Sequence, residues 1–114
     1  MTSDLQKMGP IEIRRTDKPM GIDKARALCE RLSSHWSVTE NGRLKASFPF
    51  PDFARALAFL NRVGVVAERH NHHPDCYLSW GRLELVVWTH DIGGLHLADF
   101  SLAAQVDSMA EQDL

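Results

Sequence analysis

Five of the six histidines in this 114-residue chain fall between His70 and His96. Three of them sit in one short run, Glu68-Arg69-His70-Asn71-His72-His73-Pro74. Imidazole titrates near neutrality, so a group of imidazoles suits chemistry in which protons are given and taken. Two or three in one site let an enzyme protonate a leaving group while it deprotonates a neighbouring atom. The same cluster admits two other readings. Histidine is a common transition-metal ligand, and histidines also serve as surface or capping groups with no chemistry. Against a metal stand the lack of an HExxH or CxxC pattern and of any recognisable supporting shell. Pro74 holds His73 in an extended conformation and stops the preceding helix. Adjacent residues on extended backbone point to opposite sides, so His72 and His73 cannot simply share a face, although two walls of one concave site stay open to them.

The elements that must position these groups follow from periodicity. Ile22, Ala25, Leu28, Cys29 and Leu32 recur at helical spacing, with charged residues on the other faces. Cys29 lies on that apolar stripe and reads as a small buried side chain rather than a reactive thiol. Trp36 and Val38 then alternate with polar residues, as do Leu44, Ala46, Phe48 and Phe50. Asn41-Gly42 between two alternating runs predicts a hairpin. Asp52 is a good N-cap for a long helix expected to end near His70. A second hairpin is predicted from Tyr77–Trp80 and Arg82–His90, turning at Gly81. His90 would end its last strand. A final helix carries Leu95, Phe100, Leu102, Ala103, Val106 and Met109 on its apolar positions.

The expected fold is α+β, in the order α-β-β-α-β-β-α, with a four-stranded antiparallel sheet and three helices on one face. Val86 and Trp88, apolar on the other side of the last strand, predict burial there too, by a second subunit. Residues 1–20 read as an irregular N-terminal arm with no site in it. Ile11 and Ile13 there alternate with charges and allow a short edge strand. Residues 21–114 read as a single domain.

Composition narrows the function. Hydrophobic residues make up 44% and charged residues 25%, the balance of an ordinary folded domain rather than a disordered chain. A formal net charge of −2 offers no drive toward nucleic acid. No run is long and apolar enough for a membrane helix, and Met1 to Met20 lack the apolar stretch of a secretory signal. Two cysteines without a CxxC pattern fit a reducing cytoplasm.

At the histidine run the chain resembles the pterin-4a-carbinolamine dehydratase family. The family pattern is an acidic residue, three residues, His, His or Asn, Pro, an aromatic, a His and a later Asp. Glu68, His72-His73-Pro74, Trp80, His90 and Asp99 meet each element and each gap. The Trp36 strand, the Phe48–Phe53 passage, Thr89-His90-Asp91 and Gly94-Leu95 extend the resemblance over residues 21–107. It implies dehydration of 4a-hydroxytetrahydropterin to quinonoid dihydropterin, in recycling after aromatic amino-acid hydroxylation. No cofactor and no metal would take part. His72, His73 and His90 would be catalytic, with His73 as the acid and His72 or His90 as the base. Glu68, Pro74, Asp99 and Trp36 would contact the substrate, and Trp80 would pack the site wall. A homodimer or homotetramer is implied. The alternative the family also offers is a non-catalytic protein-binding, assembly or dimerisation role. Three positions depart from the common pattern. Asn71 stands for Asp, and Ala98 for Arg. His96 stands for Ser or Thr, which predicts a weaker cap on the last helix.

Overall fold

The computed structural model describes residues 3–113. Parts of the arm and domain readings that fall on residues 1, 2 and 114 lie outside the described residues. In chain order the elements are α1 (Ser3–Met8), α2 (Ile22–Cys29), β1 (Trp36–Val38), β2 (Leu44–Pro49), α3 (Phe53–His70), β3 (Asp75–Ser79), β4 (Arg82–Val87) and α4 (Leu97–Asp113), with a short 3-10 turn at His90–Ile92.

The strands form one antiparallel sheet in the order β1-β2-β4-β3. Each hairpin pairs its own strands, and β2 against β4 joins the two hairpins in the middle. Alternation along β2 and β4 puts Leu44, Ala46, Phe48, Leu83, Leu85 and Val87 on one buried face. The helices lie against that side: α2 on β1, α3 on β3 and β4, and α4 on α3. Phe48, Phe59 and Phe100 are fully buried in the shared core. The predicted α+β sheet with helices is therefore the observed fold.

Local chemistry explains the boundaries. Gly42 takes φ +75° in the first turn, and Thr39 N donates to Arg43 O at 2.8 Å across it. Asp52 caps α3 through Oδ1, which accepts from Arg55 N at 2.8 Å. At the other end Asn71 adopts the left-handed conformation (φ 49°, ψ 43°). Asn71 N then donates to Glu68 O and His72 N to Ala67 O, both at 3.1 Å, the paired bonds of a Schellman ending. This closure folds His72 back over the end of α3.

Three expectations need correction. The arm is not wholly irregular: its first part is α1, whose Leu5 is fully buried against α4. Only one residue of α1 is a large buried apolar side chain, too few for a periodic signal. The helix is held from outside, because α4 is apolar on several sides and needs a second cover. No strand forms at Ile11 and Ile13. The last strand ends at Val87 rather than His90, because the chain turns at His90–Ile92 and closes through Gly93 (φ 69°). No helix among the described residues is long and apolar enough to cross a membrane.

Candidate active site

The C-terminal end of α3, the segment after β4 and the arm meet around a cleft of about 620 Å3. His70, Asn71, His72 and His73 line one side. Trp88, Thr89, His90 and Asp91 line another, and Pro10 to Ile13 of the arm supply a third. The three histidines singled out in the sequence thus share one cavity.

Each imidazole is held differently. His72 Nε2 is hydrogen-bonded to Asp99 Oδ1. Asp99 lies in the first turn of α4 and is fully buried. Its Oδ2 accepts from Thr89 Oγ1 and from His96 N, each at 2.9 Å. The second of these is the return half of a capping box, in which an acid in the first helical turn satisfies the N–H of the cap residue. One carboxylate therefore starts α4, ties it to the end of β4 and orients His72. A carboxylate can only accept, so Nε2 is the protonated nitrogen of His72 and, in the neutral form of the ring, Nδ1 has the lone pair.

His73 Nε2 is hydrogen-bonded to Glu68 Oε2 on the last turn of α3. Both side chains are more than half exposed, in contrast to the buried pair beside them. His90 is held by stacking. Its ring lies 3.8 Å from the Trp88 ring with 28° between the planes. The Arg43 guanidinium sits over Trp88 at 4.1 Å from the ring centre. The strand register dictates this stack, because Leu44 pairs with Val87 and so brings Arg43 opposite Trp88. Trp88 thus has a cover within its own chain. Its Nε1–H is shut off from solvent with no acceptor among the described residues.

His70 was not given a role by sequence reasoning, yet it lines the same cleft and is buried. Burial first, then the charges of Arg69 and His72, push its pKa below the ordinary histidine value. The unfolded chain would take up a proton near pH 6.5 that the folded chain refuses. Stability from this group is therefore complete above about pH 6.5 and falls as pH drops toward the lowered value. Melting temperature should drop less in His70→Gln than in the wild type between about pH 7.5 and about pH 5.5. Equal drops would place the acid sensitivity elsewhere.

Other expected site residues lie apart. Trp36 sits on the outer strand β1 in the core, and its indole N–H donates to Asp107 Oδ1 at 2.9 Å. It does not line the cleft. Trp80 is 71% exposed at the β3–β4 turn, a strand's length from His73, so it packs no site wall. Pro74 is half-buried between His73 and β3 and shapes the backbone rather than lining the cleft. His96 forms a better cap than its residue type predicted. Its Nδ1 accepts from Ala98 N at 3.1 Å, and its Nε2 donates to Asp17 Oδ2 at 2.9 Å. Arg14 N–H and this imidazole together hold the Asp17 carboxyl below its usual pKa. The Thr89 hydroxyl and the arm were missed altogether. A threonine beside His90 was in view, but nothing in the sequence told that it faces Asp99. Among the described residues, no three His, Cys, Asp or Glu side chains are arranged to hold a metal ion.

The cleft of this antiparallel α+β domain gathers three histidines, two of them paired with carboxylates and the third stacked on Trp88. The family model described as Pterin 4 alpha carbinolamine dehydratase matches residues 18–109, and the chain belongs to this family. A protein of Chlorobium limicola named "Putative pterin-4-alpha-carbinolamine dehydratase" is 40% identical over 111 residues, covering 96% of this chain and 98% of its own length. One of the same name from Rubrobacter xylanophilus is 50% identical over 91 residues, 80% of this chain and 84% of its own. A crystal structure described as a transcriptional coactivator/pterin dehydratase from Brucella melitensis has the same fold. It superposes with a TM-score of 0.76 at 22% identity, over 82% of this chain and 99% of that one.

Proposed function

We propose that the chain dehydrates 4a-hydroxytetrahydropterin to quinonoid dihydropterin, as part of tetrahydropterin recycling after aromatic amino-acid hydroxylation. The observation that carries this is the convergence of His72, His73 and His90 on one cleft, two of them backed by Asp99 and Glu68. The C4a hydroxyl takes a proton and leaves as water. The N5 lone pair forms the N5=C4a double bond, and the N5 proton passes to a base. Electrons are conserved without an oxidant or reductant. His73, at the exposed mouth, delivers the proton to the hydroxyl. His72 Nδ1, bare because Nε2–H faces Asp99, is suited to accept the N5 proton, with His90 as the other candidate. Glu68 and Asp99 are positioning residues that decide which nitrogen faces the cleft. Trp88 and Arg43 do the same for the plane of His90.

The test is turnover of synthetic 4a-hydroxytetrahydropterin above the spontaneous rate, repeated after exhaustive chelation. Turnover that survives chelation supports the reading. Loss on chelation with recovery on zinc would return the histidines to metal binding. No turnover would leave the chain a binding module. The family also makes a homodimer or homotetramer the expected assembly, read by light scattering on the same sample against a 12.9 kDa monomer. Exposed Tyr77 and Trp80 favour a second, protein-binding role beside the enzymatic one, in keeping with the coactivator description of the Brucella protein. The reading places the protein in the cytoplasm.

A further inference from the structure

The arm ahead of the family match is fastened at both ends and crosses the cleft between them. On one side Leu5 is buried in the core, Gln105 Nε2 donates to Gln6 O at 2.8 Å, and Ser101 Oγ donates to Gly9 O at 2.6 Å. On the other side His96 Nε2 donates to Asp17 Oδ2, and Met20 N donates to Leu95 O at 2.8 Å. Pro19 is packed so tightly on Gly94 that a Cβ there would stand 2.6 Å from Pro19 Cβ. The segment between these anchors runs along the cleft. Residues 10–13 form the cleft wall that bears no histidine. Ile11 and Ile13 are half-buried within an otherwise polar stretch, and both line this cleft.

We propose that Pro10–Ile13 is a substrate-recognition wall, in which Ile11 and Ile13 contact the alkyl carbons of the substituent carried on the reduced ring of the pterin. This rests on the pterin reading of the cleft. The argument is one of matching chemistry. The reacting atoms C4a and N5 must lie at the imidazoles. The amino and oxo edge of the ring needs donors and acceptors, which the histidine side and Asp91 can supply. The cleft is much larger than a bicyclic ring, and apart from Trp88, whose ring His90 and Arg43 already cover, its apolar side chains are those of the arm. An alkyl substituent on the carbon next to N5 would project away from the histidines toward them. Burying such a group against isoleucine takes apolar surface out of water and is favourable. Discrimination between a substituted and a bare pterin would thus be about tenfold or more. Glu12 adds a carboxylate at the rim suited to a hydroxyl on that substituent.

The experiment uses the full chain and the double variant Ile11→Ser/Ile13→Ser. Calorimetry gives Kd for two stable oxidised pterins, one with a hydroxyalkyl substituent and one bare. Steady-state kinetics give kcat and KM for the matching carbinolamines. The expected result is that the preference for the substituted pterin, in Kd and in KM, falls about tenfold in the variant. Any loss of affinity for the bare pterin, or of kcat, should be smaller than the loss for the substituted pterin. If the double variant folds poorly, Ile11→Ala and Ile13→Ala carry the same expectation at smaller size, with melting temperature as the control. An unchanged preference, or an equal loss for both pterins, overturns the recognition wall and leaves the dehydratase reading standing. A wild-type chain that binds neither pterin overturns both. Binding without turnover overturns only the catalytic reading, because the Kd ratio still reports on the arm.

Discussion

Replacing His73 by alanine should lower kcat/KM by about 10²-fold or more, the usual worth of a positioned general acid or base. Melting temperature should hardly change, because His73 and its partner Glu68 are both largely exposed and such surface changes stay within about 0.5 kcal/mol. His90→Ala should cost less, roughly tenfold, since water can enter where the ring stacked on Trp88. His72→Ala should fall between them in rate but differ in kind. Its side chain is 11% exposed and its partner is fully buried, so stability should drop with rate. Kinetics and thermal denaturation on the three single variants decide this. Wild-type kcat/KM in all three would remove the acid–base assignment.

The second large effect is at Asp99. Alanine there leaves the Thr89 hydroxyl, the His96 N–H and the His72 N–H without their common acceptor. Orphaned buried donors and a broken buried pair together cost about 3 kcal/mol. In a domain of this size that lowers melting temperature by roughly 10–20 °C. Asp99→Asn keeps one acceptor oxygen and should fold more stably than Asp99→Ala. It should nevertheless lose about 10- to 100-fold in kcat/KM, because the amide cannot orient His72 as the carboxylate does. If Asp99→Asn kept full rate, the carboxylate would serve the helix start alone. If Asp99→Ala melted like the wild type, the three hydrogen bonds would not carry the end of the sheet.

The sequence was most legible where one local rule decides the outcome. Alternation gave both hairpins, Asn41-Gly42 gave the first turn, and Asp52 gave the start of α3. Pro74 gave the stop before β3, and the histidine spacing gave the residues of the cleft. It was least legible where a distant partner decides. Trp36 and Trp80 occupy the family's aromatic positions, yet spacing along the chain does not tell direction. The sheet turns one indole to Asp107 and leaves the other at a hairpin tip. The helix α1 exists because α4 needs a cover, and six residues are too few to announce it. The arm's place over the cleft depends on a histidine 79 positions away from Asp17, a pairing that no window of local sequence contains.

The stack of Arg43, Trp88 and His90 also equips the molecule with its own optical probe. Indole emission responds to what lies against the ring, and here an imidazole of the cleft lies against it. The three tryptophans occupy a core, a hairpin tip and the cleft, three distinct dielectric surroundings. With Trp36 and Trp80 replaced by phenylalanine, the remaining fluorescence would belong to Trp88. Its intensity would then follow the filling and emptying of the cleft in real time, without a label and without a coupled assay.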